Sequence, residues 1–271
     1  MQVNTNVNAL ISANALSLSS SDIANSVQRI STGQKLAQDD PASIGAGARL
    51  KAQLGSLSKV NNGLNIGIGA LQQMDSALTS VQDILQNMYQ LALSSSSTDI
   101  VVTDDDRTAN DQSYQAYADQ ITALANMPKS GTTQLLSNAG TVTLRASDNT
   151  TSNVTFATYA LATDVTGLGE SVDTSANATT ALAALKVDIA TIGKHQAEVG
   201  ANLASLTSMT SVNSAVMTGL TSAYASVTSV DMASEISKLA SAQIRQSSSS
   251  AMFAQSNSMT REVVGYLFKG L

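Results

Sequence analysis

The spacing of apolar residues predicts two long helices, one in each half of the chain. Apolar residues alternate three and four positions apart from Leu50 to Ala92, and again from Leu182 to Val227. An a/d repeat sustained over this many heptads is typical of coiled-coil packing. At about 1.5 Å per residue each tract extends roughly 65 Å. The matched lengths predict two rods that lie side by side.

We expect seven of these positions to pack together between the rods. We call them the rod seam: Leu71, Met74, Leu78, Val81, Leu85, Leu203 and Leu206. Gly67 and Gly69 lie inside the first tract. They make half of a dinucleotide-binding fingerprint, but no strand precedes them, so they predict close helix approach instead.

Asp40 and Pro41 mark the start of the first rod. An acidic pair beside a proline could form a metal site or a phosphate-binding turn, but no histidine or second acidic cluster lies near it. Aspartate is a favoured N-cap and proline a favoured first helical residue. The stretch therefore predicts a joint between two helices.

The middle of the chain changes character twice. Residues 94–106 (SSSSTDIVVTDDD) interrupt the first rod, and a shorter helix then runs to Pro128. Residues 129–179 are rich in Thr, Ser, Asn and Gly, with period-two runs at 141–145 and 153–159, which predict a small β-hairpin excursion.

Both ends of the chain are apolar along one side but lack the charged face that keeps an amphipathic helix in solution. We expect these apolar residues to be buried only in a multi-chain assembly, through a terminal coiled coil. We call them the terminal set: Val3, Val7, Leu10, Ile23, Val27, Ile236, Leu239, Ile244, Phe253, Val263 and Leu267.

The predicted fold is therefore mainly α, with long antiparallel coiled-coil rods formed by the N- and C-terminal halves and a small β-hairpin excursion between them. The predicted division has five parts. They are the N-terminal half of the terminal coiled coil with the joint (1–40), the N-terminal half of the inner rod domain (41–128), the β-hairpin region (129–179), the C-terminal half of the rod domain (180–229) and the C-terminal half of the terminal coiled coil (230–271).

Composition excludes several classes of partner and chemistry. A net charge of −6 and a pI near 4.6 argue against nucleic acid as a partner, since the phosphate backbone attracts basic surfaces. No apolar run approaches 18 residues, so no membrane insertion is expected, and no cleaved signal peptide is visible. The chain has no cysteine, which excludes thiolate chemistry.

The sequence offers no catalytic set. His195 is the one histidine and is predicted to be a surface or seam residue. Asp104, Asp105 and Asp106 lack the spaced ligands of a calcium loop and are predicted to form a solvated turn. We therefore expect no enzyme activity, no metal and no cofactor.

Several motifs resemble those of bacterial flagellins, in the same order and at similar spacing. They are "NTNVNAL" with "RISTG" near the start, "DDPAS" at the joint, "NNGLNIGIGALQQMDSAL" in the first rod, and "VDMASEISKLASAQI" with "FAQSNSM" near the end. The chain is similar to a short member of the family, with a reduced central region.

The resemblance implies a structural subunit that polymerises into the flagellar filament used for swimming. It implies export in the unfolded state by the flagellar type III system, and an extracellular location. The implied partners are other copies of the chain, an export chaperone and the filament cap. A hook–filament junction protein and a secreted adhesin-like coiled-coil protein remain the alternatives.

The resemblance also bears on immune recognition. Many flagellins carry an innate-receptor epitope with the pattern Gln-Arg-hydrophobic-Arg-Glu-Leu-Ala, which aligns with residues 86–92. Here Asn87, Tyr89 and Gln90 replace its three charged residues. An asparagine cannot supply the bidentate, charge-assisted contacts of an arginine. A degenerate epitope is therefore expected.

Overall fold

The computed structural model describes residues 6–98, 102–148 and 152–269, and in these the fold is mainly α, as predicted. The helices are α1 (Val7–Thr32), α2 (Pro41–Ser96), α3 (Asp104–Ala125), α4 (Leu161–Asp164), α5 (Ser175–Thr228) and α6 (Met232–Lys269). A single 3₁₀ turn covers Thr166–Gly169. Val3 of the terminal set lies outside the described residues.

Two small antiparallel strand pairs occupy the middle of the chain. Strands β1 (Lys129–Ser130) and β2 (Thr133–Gln134) form a two-residue ladder. Strands β3 (Gly140–Arg145) and β4 (Asn153–Thr158) form the predicted hairpin, in which Val142 lies opposite Phe156. Because side chains alternate along a strand, Phe156 and Thr158 of β4 are buried while their neighbours are less so.

The start of α2 follows the predicted capping. The backbone N–H of Ser43 donates to Asp40 Oδ1 at 3.0 Å, and Pro41 is the first helical residue. The same bond, together with the Ser43 hydroxyl, holds the pKa of Asp40 below its usual range. At the other side of the joint, Gly33 ends α1 in the left-handed conformation, with φ 68°, and its N–H donates to Arg29 O.

The chain divides into two compact units, and helices α2 and α5 contribute to both. The first, the terminal unit, comprises residues 1–52 and 220–271, and the second, the rod unit, comprises residues 53–219. In the terminal unit α1 packs antiparallel on α6, because Asn6 bonds to Thr260 and Arg29 bonds to Glu235. The joint after α1 pairs with the segment before α6 through a bridge between Gln34 and Ser229.

In the rod unit α2 and α5 run antiparallel, as the two heptad tracts predicted. Asn61 Nδ2 lies 3.5 Å from Ser214 Oγ, and Gln196 Nε2 lies 3.3 Å from Thr79 Oγ1. Ser175 Oγ donates to Ser96 O at the end of the pair. Helix α3 and the excursion pack on these helices and contribute Tyr114, Leu135, Leu136, Phe156 and Leu161 to one apolar core.

Two local predictions need correction. Asp104, Asp105 and Asp106 do not form a solvated turn but are the first turn of α3, which Thr103 caps in a reciprocal capping box with Asp106. Three carboxylates suit that position because they face the positive end of the helix dipole. Gly67 makes room chiefly for Leu144 of the hairpin, since a Cβ built there would collide with the Leu144 side chain.

Candidate assembly surface

The structure places the residues of the rod seam inside the rod unit. Leu71, Met74, Leu78, Val81, Leu85 and Leu206 are fully buried, and Leu203 is half-buried against the same core. The second tract shows why Leu203 differs. Its fully buried positions recur one heptad apart, at Leu185, Ile192, Val199 and Leu206, and the intervening positions are half-buried.

The interior of the terminal unit is made of small and polar side chains. Ser12, Ser19 and Ser26 of α1 are buried, and in the described part of the unit the fully buried apolar side chains are Ala9 and Ala242. The hydroxyls of Ser12 and Ser19 donate to carbonyls one turn earlier in α1, at 2.9 Å, so burial leaves them satisfied. An interface of this kind removes little apolar surface from water and stabilises the pair weakly.

Five of the eight residues of the terminal set whose side chains are described lie on the outside of that unit. Val7 is 57% exposed and Ile244 is 68% exposed, and Leu10, Val27 and Ile236 are exposed to a similar extent. Ile23, Leu239 and Phe253 are half-buried between α1 and α6. Val263 and Leu267 lie in the last turns of α6, where the description of side chains ends. The set therefore divides into an inner group and an exposed outer group.

Further large apolar side chains extend the outer group. On α1 and α6 they are Ile11, Leu18, Met232, Met252 and Met259, each exposed. In most soluble proteins large apolar side chains are buried and serines are exposed. The terminal unit shows the reverse, which we call reversed polarity. Contiguous exposed apolar surface marks an interaction site.

Glu235 is the buried charge of the terminal unit, with 2% of its side chain exposed. It accepts from Ser26 Oγ at 2.8 Å and from Arg29 Nη1 at 2.6 Å, and Lys238 Nζ lies 3.3 Å away. Burial raises the pKa of Glu235, but these hydrogen bonds outweigh it and hold the pKa below its ordinary value. Glu235 is therefore a carboxylate at neutral pH.

Arg29 connects this carboxylate to the joint. Its Nε and Nη2 donate to the two carboxylate oxygens of Asp39 at 2.8 and 3.1 Å. Burial lowers the pKa of Arg29, but the hydrogen bonds to Glu235 and Asp39 more than offset it and the pKa is raised. One arginine thus ties α1, the joint and α6 together.

The excursion is fastened to α5 by contacts that the sequence analysis did not find. His195 stacks on Tyr159 with ring centroids 3.8 Å apart, and its Nε2 lies 3.3 Å from Asp164 Oδ2. Tyr159 Oη donates to Glu198 at 2.9 Å. His195 is thus covered by the excursion rather than left on the surface, and only 14% of its side chain is exposed. No signal in the sequence paired these distant residues.

Two buried polar residues of α5 hold the excursion in the same way. Asp188 accepts from the backbone N–H groups of Thr166 and Gly167 at 3.0 and 2.7 Å, and Asn213 Nδ2 donates to Ala146 O at 2.8 Å. Asn213 occupies a heptad position, and this bond explains why a polar residue stands there. Their roles are structural.

The three residues of the degenerate epitope lie on α2. Asn87 and Gln90 are exposed, and Tyr89 is half-buried and packs against the core of the rod unit. The neighbouring Met88 and Ala92 are fully buried. Asn87 and Gln90 are therefore available to a partner, whereas Tyr89 also contributes to the packing of the rod unit.

The described residues show neither a metal-ligating cluster nor a membrane-spanning helix. No group of three His, Asp or Glu side chains among them is placed to hold a metal ion. Likewise, across residues 6–98, 102–148 and 152–269 no helix combines the length and apolarity needed to cross a membrane.

Comparison with known proteins gives a consistent result at both ends of the chain. Residues 3–141 match the family profile of the bacterial flagellin N-terminal helical region, and residues 182–267 match that of the bacterial flagellin C-terminal helical region. The flagellin of Listeria monocytogenes is 26% identical over 277 residues, which cover 95% of this chain and 96% of the relative.

Other relatives are longer than this chain. The flagellin of Clostridium tyrobutyricum is 27% identical over 180 residues, and the match covers 63% of this chain and 47% of the relative. The chain thus spans about half or less of the length of several curated relatives that it matches.

Two solved structures share the fold. The crystal structure of Bacillus cereus flagellin matches with a TM-score of 0.52 and 20% identity, over 56% of this chain and 88% of that one. A protein from Vibrio parahaemolyticus described as flagellar hook-associated matches with a TM-score of 0.61 and 15% identity, over 70% of this chain and all of that one.

Proposed function

The chain belongs to the bacterial flagellin family, and from this premise we propose that it is the structural subunit of a flagellar filament, which polymerises with other copies of itself outside the cell. The observation that carries the proposal is the reversed polarity of the terminal unit. Helix α1 buries three serines, whereas α1 and α6 both expose large apolar residues such as Val7 and Ile244. Neighbouring copies would remove those residues from water.

The energetics favour assembly over a stable isolated terminal unit. Each large apolar side chain that becomes fully buried contributes about 1.5–3 kcal/mol. The exposed outer group therefore offers far more free energy to an assembly than the serine-lined interface offers to one chain. The rod unit differs, because its apolar core is already complete in one chain.

Export and partners follow from family membership as part of the proposal. We propose secretion in an unfolded state by the flagellar type III system, with an export chaperone and the filament cap as transient partners. The absence of cysteine from the sequence suits a chain that must stay free of covalent cross-links while unfolded. We propose no enzymatic role.

A hook–filament junction protein is the second candidate, and the fold likeness to the hook-associated protein from Vibrio parahaemolyticus favours it. Such a protein would occupy few positions in each flagellum, whereas a filament subunit must be abundant. Quantifying the chain in isolated flagella separates the two, because a filament subunit should be a major component of the preparation.

Electron microscopy of the purified chain after seeding tests the proposal directly. We expect the full chain to form long filaments and a variant lacking residues 230–271 to stay monomeric. The control carries Thr143→Ala, at an exposed position of strand β3, and should leave filament formation intact. A full chain that stays monomeric under seeding would contradict the proposed function.

A further inference from the structure

The shapes of the side chains buried between α1 and α6 select the register of the two helices only weakly. The buried α1 residues Ser12, Ser19 and Ser26 are spaced one heptad apart. Sliding α1 by one heptad replaces a buried serine with another serine, so these positions alone do not oppose the slip. In coiled coils whose core permits several registers, polar and charged residues select one of them.

Charged residues are placed to do this here. Helix α1 contains only Asp22 and Arg29 as charged residues, and both pair with α6. Asp22 Oδ2 lies 2.9 Å from Arg245 Nη2, and Arg29 Nη1 lies 2.6 Å from Glu235 Oε1. Asp22 and Arg29 are one heptad apart and have opposite charges.

That spacing turns each one-heptad slip into a repulsive contact. A slip in one direction brings Asp22 opposite Glu235, which is 2% exposed and would lose Arg29 and keep only Lys238, of its own helix, as a cation. A slip in the other direction brings Arg29 opposite Arg245. A buried carboxylate beside a second carboxylate is strongly unfavourable. Both neighbouring registers are therefore penalised, by different pairs.

We infer that the offset pairs Asp22–Arg245 and Arg29–Glu235 select the register of α1 on α6, with Glu235 as the principal positioning residue. The inference rests on the proposed function. Register decides where the outer apolar residues of α1 lie relative to those of α6, and every subunit must present the same outer surface to its neighbours.

The two registers can be distinguished by disulfides, since the natural chain has no cysteine. Gln246 Nε2 donates to Ser20 Oγ at 3.2 Å, so Ser20→Cys with Gln246→Cys reports the observed register. A slip that brings Asp22 opposite Glu235 also brings Ala13 opposite Gln246. Ala13→Cys with Gln246→Cys therefore reports that slipped register. Each pair is oxidised in the polymer of the full chain, and intramolecular disulfides are read on a non-reducing gel.

The parent polymer should form the Ser20–Gln246 disulfide almost exclusively. In Glu235→Arg, the new arginine repels Arg29 and attracts Asp22, so the ratio of observed-register to slipped-register product should fall by at least about tenfold. Adding Arg29→Glu to Glu235→Arg should restore the observed-register product, because it re-forms the pair with its charges exchanged. Arg261→Glu, a reversal of an exposed charge on the same helix, should leave the ratio unchanged.

An unchanged ratio in Glu235→Arg, or a ratio that stays low after Arg29→Glu is added, would overturn the inference. If Glu235→Arg does not polymerise, adding Arg29→Glu replaces the repulsion with an attraction and should restore a polymer in the observed register. Failure of that restoration would also overturn it. A parent chain that forms no polymer would instead contradict the proposed function.

Discussion

Glu235 shows how one residue can make an assembly sensitive to pH. It is buried among Ser26, Arg29 and Lys238, which hold its pKa below the ordinary value despite the opposing effect of burial. A depressed carboxyl pKa contributes stability that is fully present above the pKa of the unfolded chain, about 4.3, and is lost as pH falls through the folded pKa.

The polymer should therefore lose the contribution of Glu235 in acid. At pH 7 we expect filaments of Glu235→Gln to dissociate at a lower temperature than parental filaments, because Arg29 and Lys238 lose the carboxylate that they share. This gap should close as the pH falls below about 4. Thermal dissociation followed by light scattering measures it, with Glu262→Gln as the control. A gap that stays constant from pH 7 to pH 3 would contradict this role of Glu235.

Asn87, Tyr89 and Gln90 set a second expectation at the residue scale. If the flagellin-sensing Toll-like receptor reads charges at these positions, loss of one such contact costs about 2 kcal/mol or more, roughly thirtyfold in affinity. We expect the monomer to be a weak agonist in a reporter-cell assay. The triple variant Asn87→Arg, Tyr89→Arg, Gln90→Glu should gain activity.

The fully buried positions Leu85, Met88 and Ala92 are untouched by that triple variant, whereas Tyr89→Arg replaces a half-buried side chain that packs against the core. Polymerisation of the variant is therefore its folding control. Parental potency equal to that of an enterobacterial flagellin would refute the expectation. A triple variant that polymerises without any gain in activity would refute it as well.

Single residues differed in how far the sequence revealed them. Asp40 and Pro41 were predictable because capping is local and depends on residues within one turn. The Glu235–Arg29 pair and the contact of His195 with Asp164 were not. Their partners are far apart in sequence, and only the folded chain brings them together. Motif spacing carries no signal for such pairs.

At the scale of elements, the heptad pattern was sufficient to predict a helix and its buried side where that helix packs on apolar neighbours within the same chain. It predicted α2 and α5 and placed Leu78 and Leu206 in the interior, where both are fully buried. It did not predict the serine interior of α1 and α6. The apolar faces of these two helices lie largely on the outside. The sequence of one chain identifies such a face, but it does not identify the partner that buries it.

The packing of α2 on α5 gives a prediction for the rod unit. Leu78→Asp should destabilise it by several kcal/mol, because the carboxylate would be buried without a partner. The matched control is Leu93→Asp, since Leu93 is on the same helix and 54% exposed. Thermal unfolding of the monomer, followed by circular dichroism, measures both. Equal shifts in the two variants would contradict the packing described here.

The excursion shows a further limit of prediction by element. Its strands were visible as period-two runs, but its attachment depends on Asp188, His195 and Asn213 of α5. In the sequence these residues are isolated polar positions on or beside an apolar tract. Each is explained by a backbone or side-chain group of the excursion that it satisfies, and that pairing exists only in the folded rod unit.

At the scale of the whole molecule, the two units differ in where their large apolar residues lie. The rod unit buries its large apolar residues within one chain, and the terminal unit exposes them. A helical pair with so little apolar burial cannot offset the entropy of ordering its backbone, about 1–2 kcal/mol per residue. The account therefore holds that the terminal unit is ordered by assembly.

Amide hydrogen exchange of monomer and polymer tests this claim most directly. Residues 7–32 and 232–262 should exchange rapidly in the monomer and become protected in the filament, whereas residues 57–92 should be protected in both. The rod helices serve as the internal control, because their core is complete in one chain. Full protection of residues 7–32 in the monomer, with no further gain on polymerisation, would contradict the account.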